Sequence, residues 1–282
     1  MNEAWTLLEV LNWTKGYLAG KGVENARLES EWLLCAATGL DRVGLYVNYE
    51  KPLSDSELKS CREMVARRAL REPLQYILGT QEFCGLDFEV NPAVLIPRHD
   101  TEVLVAEALK KCGSALKILD VGVGSGCIAV ALARALPAAT IWGVDSSPAA
   151  LEVARRNAQR HGAAVHLLPG SLFETLPDER FDLIVSNPPY IPTADIAALQ
   201  PEVRDYEPHD ALDGGPDGLD CYRALVPQSL GHLAPGGWLM VEVGIGQAAH
   251  VKEIFSQSGR FTELFIAPDP SGTGRVVGGK IT

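Results

Sequence analysis

A polar turn after a short apolar run is the clearest candidate for chemistry in this sequence. Asn187, Pro188, Pro189 and Tyr190 follow the apolar run 183–185, with only Ser186 in between. Such a run suits a buried parallel strand, and two successive prolines cannot continue a central strand. Each proline also fixes its own φ and restricts the residue before it. The sequence therefore predicts a rigid turn at the carboxyl end of a strand, where open α/β sheets bind ligands. An ordinary polar loop is the alternative.

A glycine-rich stretch forms the second candidate site: Asp120-Val121-Gly122-Val123-Gly124-Ser125-Gly126. Glycines let the backbone approach a ligand closely, and a helix that begins here offers unpaired amide hydrogens. The dinucleotide fingerprint needs a further glycine where this chain has Cys127 and Ala129, so a dehydrogenase is disfavoured. About 20 residues further on, Asp145 ends a predicted strand, where a carboxylate can accept hydrogen bonds from ribose hydroxyls.

Alternating strands and helices in the second part of the chain are the elements that position these residues. Strands are predicted at 116–121, 140–144, 165–168, 181–185 and 238–243, with helices at 126–136 and from Pro148 to His161. Residues 261–266 and 275–277 flank a Pro/Gly-rich turn, as in a terminal hairpin. This alternation predicts an α/β fold with a mostly parallel, doubly wound sheet and an antiparallel hairpin at its end.

The first part of the chain has helical spacing instead. Ser54 and Glu57 form the pattern of a capping box, and apolar residues follow it at helical intervals. We predict a small α-helical domain over 1–78, a β-hairpin connector over 79–97, another helix over 100–111 that opens the sheet domain, and that domain over 98–282. A basic cluster near the end of the first part, Arg62, Arg67, Arg68 and Arg71, is interpreted as a solvated helix face.

Charge and composition restrict the functional class. Residues 1–80 hold 10 basic and 11 acidic side chains, whereas residues 81–282 hold 15 and 25, so most of the net charge of −11 lies in the larger part. An acidic body argues against a broad phosphate-binding surface, and so against direct nucleic-acid binding. The sequence has no membrane-length apolar run and no signal-peptide pattern, which predicts a cytoplasmic protein without membrane contact.

The metal-ligand and cysteine patterns are uninformative. The histidines and cysteines lack metal-ligand spacing, so no metal is predicted. Six cysteines are scattered without a Cys-x-x-Cys pair, and most have apolar neighbours, as reduced core residues do. They are Cys35, Cys61, Cys84, Cys112, Cys127 and Cys221.

The ordered set of these features resembles the class I S-adenosylmethionine-dependent methyltransferases: an acid that opens a glycine loop, an acid after the second strand and a polar turn after the fourth. The resemblance implies a Rossmann-like sheet, and S-adenosylmethionine as the cofactor, with S-adenosylhomocysteine as its product. Asp120 would face the positively charged methionine end. The implied cofactor contacts are Asp120, Val121, Gly122, Val123, Gly124, Asp145, Leu172 and Asn187.

The Asn-Pro-Pro-Tyr turn resembles that of methyltransferases which act on planar nitrogens: adenine N6 in DNA, guanine N2 in RNA, or a glutamine amide. Such a nitrogen is a poor nucleophile because its lone pair is delocalised. The resemblance implies that the Asn187 side-chain oxygen and the Pro188 carbonyl can each accept one N–H, which would aim the nitrogen at the methyl group and stabilise the charge that develops on it. The implied catalytic residues are Asn187, Pro188, Pro189 and Tyr190, with Tyr190 packed on the planar group.

Three further segments, 71–77, 94–102 and 206–208 with 211–219, closely resemble the protein-(glutamine-N5) methyltransferases that modify peptide chain release factors. The resemblance implies that the substrate is the glutamine of the Gly-Gly-Gln motif in a class 1 release factor. It also implies that the helical domain helps to dock this partner. A monomer is expected, although the sequence itself does not give the oligomeric state. The chain departs from the family at Ser171, where an acid is common, so the adenine contacts are assigned to Leu172 and its neighbours.

Three alternatives stay open from the sequence. A related enzyme methylates a glutamine of a ribosomal protein, and only family resemblance separates the two. A methyltransferase of DNA or RNA amino groups would be expected to have a basic face, which this acidic chain lacks. A cofactor-binding protein without catalytic activity would not need the intact turn from Asn187 to Tyr190.

Overall fold

The structure is a computed structural model in which residues 5–111 and 117–282 are described. The chain divides into two compact units. The first comprises Met1–Gly79 and Gln200–Tyr206, and the second comprises Thr80–Leu199 and Glu207–Thr282. Cys112, which was predicted to be a reduced cysteine, and Leu116, the predicted start of the first strand, lie outside the described residues.

The helices and strands are numbered in chain order. The α-helices are α1 (Leu7–Gly20), α2 (Ala26–Thr38), α3 (Arg42–Val47), α4 (Asp55–Ala69), α5 (Leu74–Leu78), α6 (Glu102–Lys111), α7 (Cys127–Ala135), α8 (Pro148–Arg160), α9 (Pro201–Arg204), α10 (Asp220–Ser229) and α11 (Ala248–Gln257). The strands are β1 (Thr80–Phe83), β2 (Leu86–Glu89), β3 (Lys117–Val121), β4 (Thr140–Asp145), β5 (Val165–Pro169), β6 (Phe181–Ser186), β7 (Leu233–Glu242), β8 (Phe261–Pro268) and β9 (Gly274–Ile281). Short 3₁₀ helices cover His99–Thr101, Thr193–Ala198 and His209–Ala211.

The first unit is helical, as predicted. Its core is formed by apolar side chains of α1, α2 and α4, among them Leu18, Leu33 and Val65. The predicted capping box is confirmed at the start of α4, where the Ser54 hydroxyl accepts from the Glu57 amide and the Glu57 carboxylate accepts from the Ser54 amide. These contacts satisfy donors that a helix end otherwise leaves unpaired, which explains why the helix begins at this position.

The interpretation of the basic cluster as a solvated helix face is wrong for Arg68. Arg68 is buried, and its guanidinium donates to the carboxylates of Glu29 and Glu202. Arg71 donates to both oxygens of Glu202, while Arg67 pairs with Glu72. The sequence pattern missed this arrangement because Glu202 lies more than a hundred residues away in the segment 200–206. A buried charge needs such partners, since desolvation without them is costly.

The second unit contains the predicted sheet of mostly parallel strands. Its order is β5-β4-β3-β6-β7-β9-β8, in which β9 runs antiparallel to both of its neighbours. From β3 the chain proceeds outward through β4 and β5, and it then returns to the other side of β3 with β6. This reversal places the carboxyl ends of β3 and β6 next to each other, with Val121 opposite Ser186. Such a topological switch point is where open α/β sheets bind ligands.

Helices on both faces bury the sheet. One core contains Ile118, Leu183 and Met240 with side chains of α6, α7 and α8, and the other contains Leu119, Ile184 and Leu239 with side chains of α10 and α11. The predicted start of α8 is confirmed, with Ser147 as its N-cap and Pro148 at its first turn. The sequence analysis did not predict α10 or α11.

The predictions about the two hairpins and about the cysteines have different outcomes. The hairpin of β1 and β2 is present, and β8 with β9 forms the terminal hairpin. All five described cysteines are free, but only Cys61 and Cys127 are buried, so the prediction that most are core residues is wrong. Within residues 5–111 and 117–282, no helix combines the length and the apolar character that a membrane span requires. The same residues include no cluster of acidic, histidine or cysteine side chains arranged to hold a metal ion.

Candidate active site

A cavity of about 340 Å³ lies at the switch point of the sheet in the second unit. The ends of β3, β4 and β6 contribute to it, because parallel neighbours finish at the same edge. Nine of the eleven predicted site residues line this cavity: Val121, Gly122, Val123, Gly124, Asp145, Leu172, Asn187, Pro188 and Pro189. The predicted cofactor loop and the predicted catalytic turn therefore face one space. Asp120 and Tyr190 are not among the lining residues.

The glycine loop is shaped by left-handed backbone conformations. Gly122 and Gly124 have φ values of 75° and 53°, which residues with a Cβ atom rarely adopt. A Cβ atom at Gly122 would meet no atom within 4 Å, so backbone conformation and open space for a ligand, rather than crowding, explain the glycine there. The amides of Gly122 and Val123 both donate to the Val144 carbonyl, which anchors the loop to the end of β4.

Asp145 organises the same loop through its carboxylate. Its Oδ2 accepts from the Gly124 amide at 2.8 Å and its Oδ1 accepts from the Ser147 amide at 2.9 Å. Each oxygen of an ionised carboxylate can accept a further hydrogen bond, so the group keeps capacity for ligand hydroxyls. The half-exposed carboxylate at the cavity wall thus fits the predicted contact with a ribose.

Asp120 lies beneath the loop in a fully buried position. Its Oδ2 accepts from the Ala129 amide at 3.1 Å, while its Oδ1 has no hydrogen-bonding partner among the described residues. Burial raises the pKa of Asp120 to about 8, and the charge of Asp145 adds to the effect. A buried acceptor without a partner is costly, and a nearby positive charge offsets that cost. This feature fits a cationic ligand near the glycine loop.

Cys127 lines the cavity at the start of α7 but is not suited to act as a nucleophile. Burial raises the pKa of its thiol to about 12. The reactive form of cysteine is the thiolate, which is scarce at such a pKa. The cavity is therefore equipped for binding and orientation rather than for covalent catalysis by this residue.

The Asn-Pro-Pro-Tyr turn follows β6 directly. The Ser186 hydroxyl donates to the Val121 carbonyl at 2.7 Å, which ties the end of β6 to the end of β3. The Asn187 side-chain nitrogen donates to the Thr101 hydroxyl at 3.2 Å. No donor among the described residues reaches the Asn187 Oδ1, so this oxygen is available to a ligand in the cavity.

Tyr190, the last residue of the turn, is partly buried. Its ring packs against the apolar core on the α10 and α11 side of the sheet, and its hydroxyl lies 3.5 Å from the Glu242 carboxylate. Burial and the charge of Glu242 raise the pKa of Tyr190 to about 12. The role predicted for Tyr190 as a packing surface for the substrate stays a prediction.

Two glycines of the segment 211–219 pack directly on the turn. A Cβ atom at Gly214 would lie 2.8 Å from the Tyr190 Cα, and one at Gly218 would lie 2.3 Å from the Tyr190 carbonyl oxygen. The Gln247 side chain completes the support by donating to the same carbonyl oxygen at 2.8 Å. The sequence analysis recognised this segment by resemblance alone, and the structure gives its physical reason: only glycine leaves room for the turn.

The segment 93–102 supplies cavity residues that the sequence analysis did not assign. Arg98 and Thr101 both line the cavity. The Arg98 guanidinium donates to the Glu207 carboxylate, which also accepts from the Ile96 amide at 3.2 Å. Burial raises the pKa of Glu207, while Arg98 opposes the shift. These contacts hold the segment 93–102 against Glu207, and the next residue, Pro208, lines the cavity.

Known proteins of the family that the sequence resembles match this chain along almost its whole length. A family model described as PrmC N-terminal domain matches residues 9–79, and one described as Methyltransferase small domain matches residues 99–199. The release factor glutamine methyltransferase of Geobacter sulfurreducens is 68% identical over 279 residues, which cover 99% of this chain and 98% of the relative. That of Moorella thermoacetica is 46% identical over 275 residues, or 96% of each chain.

One solved structure supports the fold. A methyltransferase from Pyrococcus furiosus superimposes with a TM-score of 0.54 at 18% identity, covering 70% of this chain and 90% of that one. At this identity the likeness concerns the fold of the sheet and its helices.

Proposed function

This chain belongs to the release factor glutamine methyltransferases, and from that premise we propose that it methylates the side-chain amide nitrogen of the Gly-Gly-Gln glutamine in a class 1 peptide chain release factor. The observation that carries the proposal is the position of Asn187 and Pro188 in the wall of the cavity that the glycine loop also lines. A planar amide and a methyl donor therefore meet in one space.

The residues of the cavity fit S-adenosylmethionine as the cofactor. The Asp145 carboxylate would accept hydrogen bonds from the ribose, the glycine loop of Gly122 and Gly124 would admit the cofactor backbone, and Leu172 would lie beside the adenine. Asp120 would balance the positive charge of the methionine end. When bound, the cofactor supplies an electrophilic methyl group, and S-adenosylhomocysteine is the product that remains.

The turn holds the substrate amide. The Asn187 Oδ1 and the Pro188 carbonyl oxygen each accept one N–H of the glutamine NH₂ group, which fixes the direction of its nitrogen. Two oriented dipoles also stabilise the positive charge that develops on this nitrogen. The two prolines keep these acceptors in place without an entropic cost at the moment of binding. No general base is needed at the transfer itself, because the methylated nitrogen becomes acidic and loses its proton afterwards.

The remaining expectations form part of the proposal. The helical domain over 1–78 helps to dock the release factor, the segment 79–97 connects it to the methyltransferase domain over 98–282, and the protein acts as a monomer in the cytoplasm, where its partner works in translation. The acidic character of residues 81–282 supports a protein substrate over DNA or RNA.

The test is incubation of the enzyme with labelled cofactor and a purified class 1 release factor. A release factor in which the Gly-Gly-Gln glutamine is changed to alanine serves as the matched control, and duplex DNA and ribosomal protein are present as competitors. We expect label in the unchanged release factor alone. Label in DNA or in the ribosomal protein would assign the chain to one of the alternative substrates.

A further inference from the structure

The side-chain amide of Gln247 joins three segments of the second unit. Its Nε2 donates to the Tyr190 carbonyl oxygen at 2.8 Å and, over a longer distance of 3.4 Å, to the Gly218 carbonyl oxygen. Its Oε1 accepts from the Gly244 amide at 3.0 Å. One half-buried side chain therefore connects the Asn-Pro-Pro-Tyr turn, the segment 211–219 and the loop between β7 and α11.

The backbone around this amide leaves space for it. A Cβ atom at Gly218 would lie 2.6 Å from the Gln247 Nε2, and one at Gly244 would lie 2.7 Å from its Oε1. A larger residue at either position would displace the amide. The neighbours also determine which way the amide points, because two carbonyl oxygens need a donor and a backbone N–H needs an acceptor. Gln247 is therefore held in a single orientation.

The turn depends on this contact because its two prolines have no backbone N–H to donate. Hydrogen bonds can hold it only through carbonyl oxygens or through the flanking residues. At its start, the Ser186 hydroxyl and the Asn187 side chain anchor it to neighbouring elements. At its end, Gln247 holds the Tyr190 carbonyl, and the backbone of the next residue pairs with the segment 211–219. Loss of the Gln247 contact would loosen that end of the turn.

We propose that Gln247 is a positioning residue for methyl transfer, which holds the end of the turn so that the oxygens of Asn187 and Pro188 stay aimed at one point. The inference rests on the proposed function, because their aim matters only if they accept the N–H groups of a substrate amide. Gln247 does not line the cavity, so it acts through the turn. The cofactor loop is held separately, by Val144 and Asp145.

A pair of methionine substitutions on the same helix tests the inference. Gln247→Met removes all three hydrogen bonds at nearly constant volume. Gln257→Met is the matched control, because Gln257 is exposed at the other end of α11 and its amide contacts only the Glu253 side chain. The measured quantities are kcat, KM for the release factor, thermal unfolding, and the affinity and number of cofactor sites by calorimetry.

The expected results separate positioning from mere stability. Gln247→Met lowers kcat per cofactor site about tenfold, the value of one well-placed hydrogen bond. KM for the release factor, cofactor affinity and the number of cofactor sites stay unchanged. A purely structural role would instead reduce the number of sites, while each remaining site worked at the normal rate. Gln257→Met behaves like the unmodified enzyme.

A third variant, Gln247→Glu, tests the donated hydrogen bond itself. The introduced carboxyl can accept from the Gly244 amide, but only its protonated form can donate to the Tyr190 carbonyl. Partial burial and the facing carbonyl oxygens raise the pKa of this carboxyl above the ordinary value of about 4.3. The donation is therefore present below the raised pKa and is lost as the pH rises through it. We expect the single-turnover rate, relative to the unmodified enzyme, to fall between about pH 5 and about pH 9.

The comparison with the unmodified enzyme isolates the introduced carboxyl. The ionisable side chains near these contacts along the chain are Tyr190, Asp217, Asp220, Glu242, His250 and Arg275. Both enzymes contain all of them, so their titration affects both rates and cancels in the ratio.

Two kinds of failure are distinguishable. If the unmodified enzyme places no methyl group on the release factor, the proposed function fails and the inference fails with it. If the enzyme is active but Gln247→Met keeps the normal kcat per site, or loses cofactor affinity instead, only the positioning role is overturned. A relative rate of Gln247→Glu that does not fall with rising pH would overturn it as well.

Discussion

Asp145→Asn is the substitution that probes the cofactor site most sharply, because the change is nearly isosteric. Both oxygens of the Asp145 carboxylate accept from backbone amides, those of Gly124 and Ser147, at 2.8 Å and 2.9 Å. An asparagine has only one oxygen, so its NH₂ group must face one of these two N–H groups. The variant therefore loses one charge-assisted hydrogen bond and leaves one backbone donor without an acceptor.

The magnitude follows from the energies of such contacts. A hydrogen bond to a charged group contributes about 1.5–3 kcal/mol, and an unsatisfied buried donor costs about 1–3 kcal/mol. Part of this free energy is lost in the cofactor-free protein as well, where it appears as lower stability and not as weaker binding. We expect about 2 kcal/mol to appear as weaker binding, which corresponds to an affinity for S-adenosylmethionine about 30-fold lower. Asp145→Ala should weaken binding in the same direction.

Isothermal titration calorimetry with S-adenosylmethionine measures this effect. Asp182→Asn is the matched control, because Asp182 also accepts from a backbone amide, that of Lys117, but at the opposite end of β6. The control should bind cofactor normally. An Asp145→Asn variant with unchanged affinity would refute the assignment and move the ribose contact to another residue.

Three further expectations concern the turn, the buried acid and the helical unit. Asn187→Ala should lower methyl transfer about 10²-fold or more, as the loss of an oriented group does elsewhere, while calorimetry shows normal cofactor binding; near-normal turnover would contradict the mechanism. Because burial raises the pKa of Asp120 to about 8, its proton must leave when a cation binds below that pH. Cofactor affinity should therefore increase as the pH rises toward 8, by at most about tenfold per pH unit, and a pH-independent affinity would exclude Asp120 as the counter-charge. Arg68→Ala leaves Glu29 and Glu202 without their shared partner, so urea denaturation should show the helical unit destabilised by about 3 kcal/mol, whereas an unchanged midpoint would mean that the network contributes nothing.

Local sequence signals predicted the elements that form the sheet. Apolar runs gave the strands, and Ser147 with Pro148 gave the start of α8, because N-caps and buried strands depend on neighbours within a few residues. The glycine loop was also predicted from local sequence, because the positive φ values at positions 122 and 124 favour glycine. These signals also predicted Asp145 and Asn187 at the ends of strands, and both residues line the cavity.

Features that depend on distant contacts were not predictable in this way. Arg68 is buried because Glu202 reaches it from a segment that lies far along the chain. The ring of Tyr190 packs against the apolar core on the α10 and α11 side of the sheet, a contact with residues far along the chain that its place in the turn does not indicate. Thr101 and Asn187 lie in different elements, and nothing in the local pattern around either residue indicates that their side chains meet.

The most direct test of the whole account is the position of the transferred methyl group. Tandem mass spectrometry of a class 1 release factor after reaction with this enzyme and S-adenosylmethionine should find one methyl group on the side-chain nitrogen of the Gly-Gly-Gln glutamine. The Asn187→Ala enzyme should leave that glutamine unmodified under the same conditions. A methyl group on another residue of the release factor, or an unmodified glutamine after reaction with the active enzyme, would contradict the account.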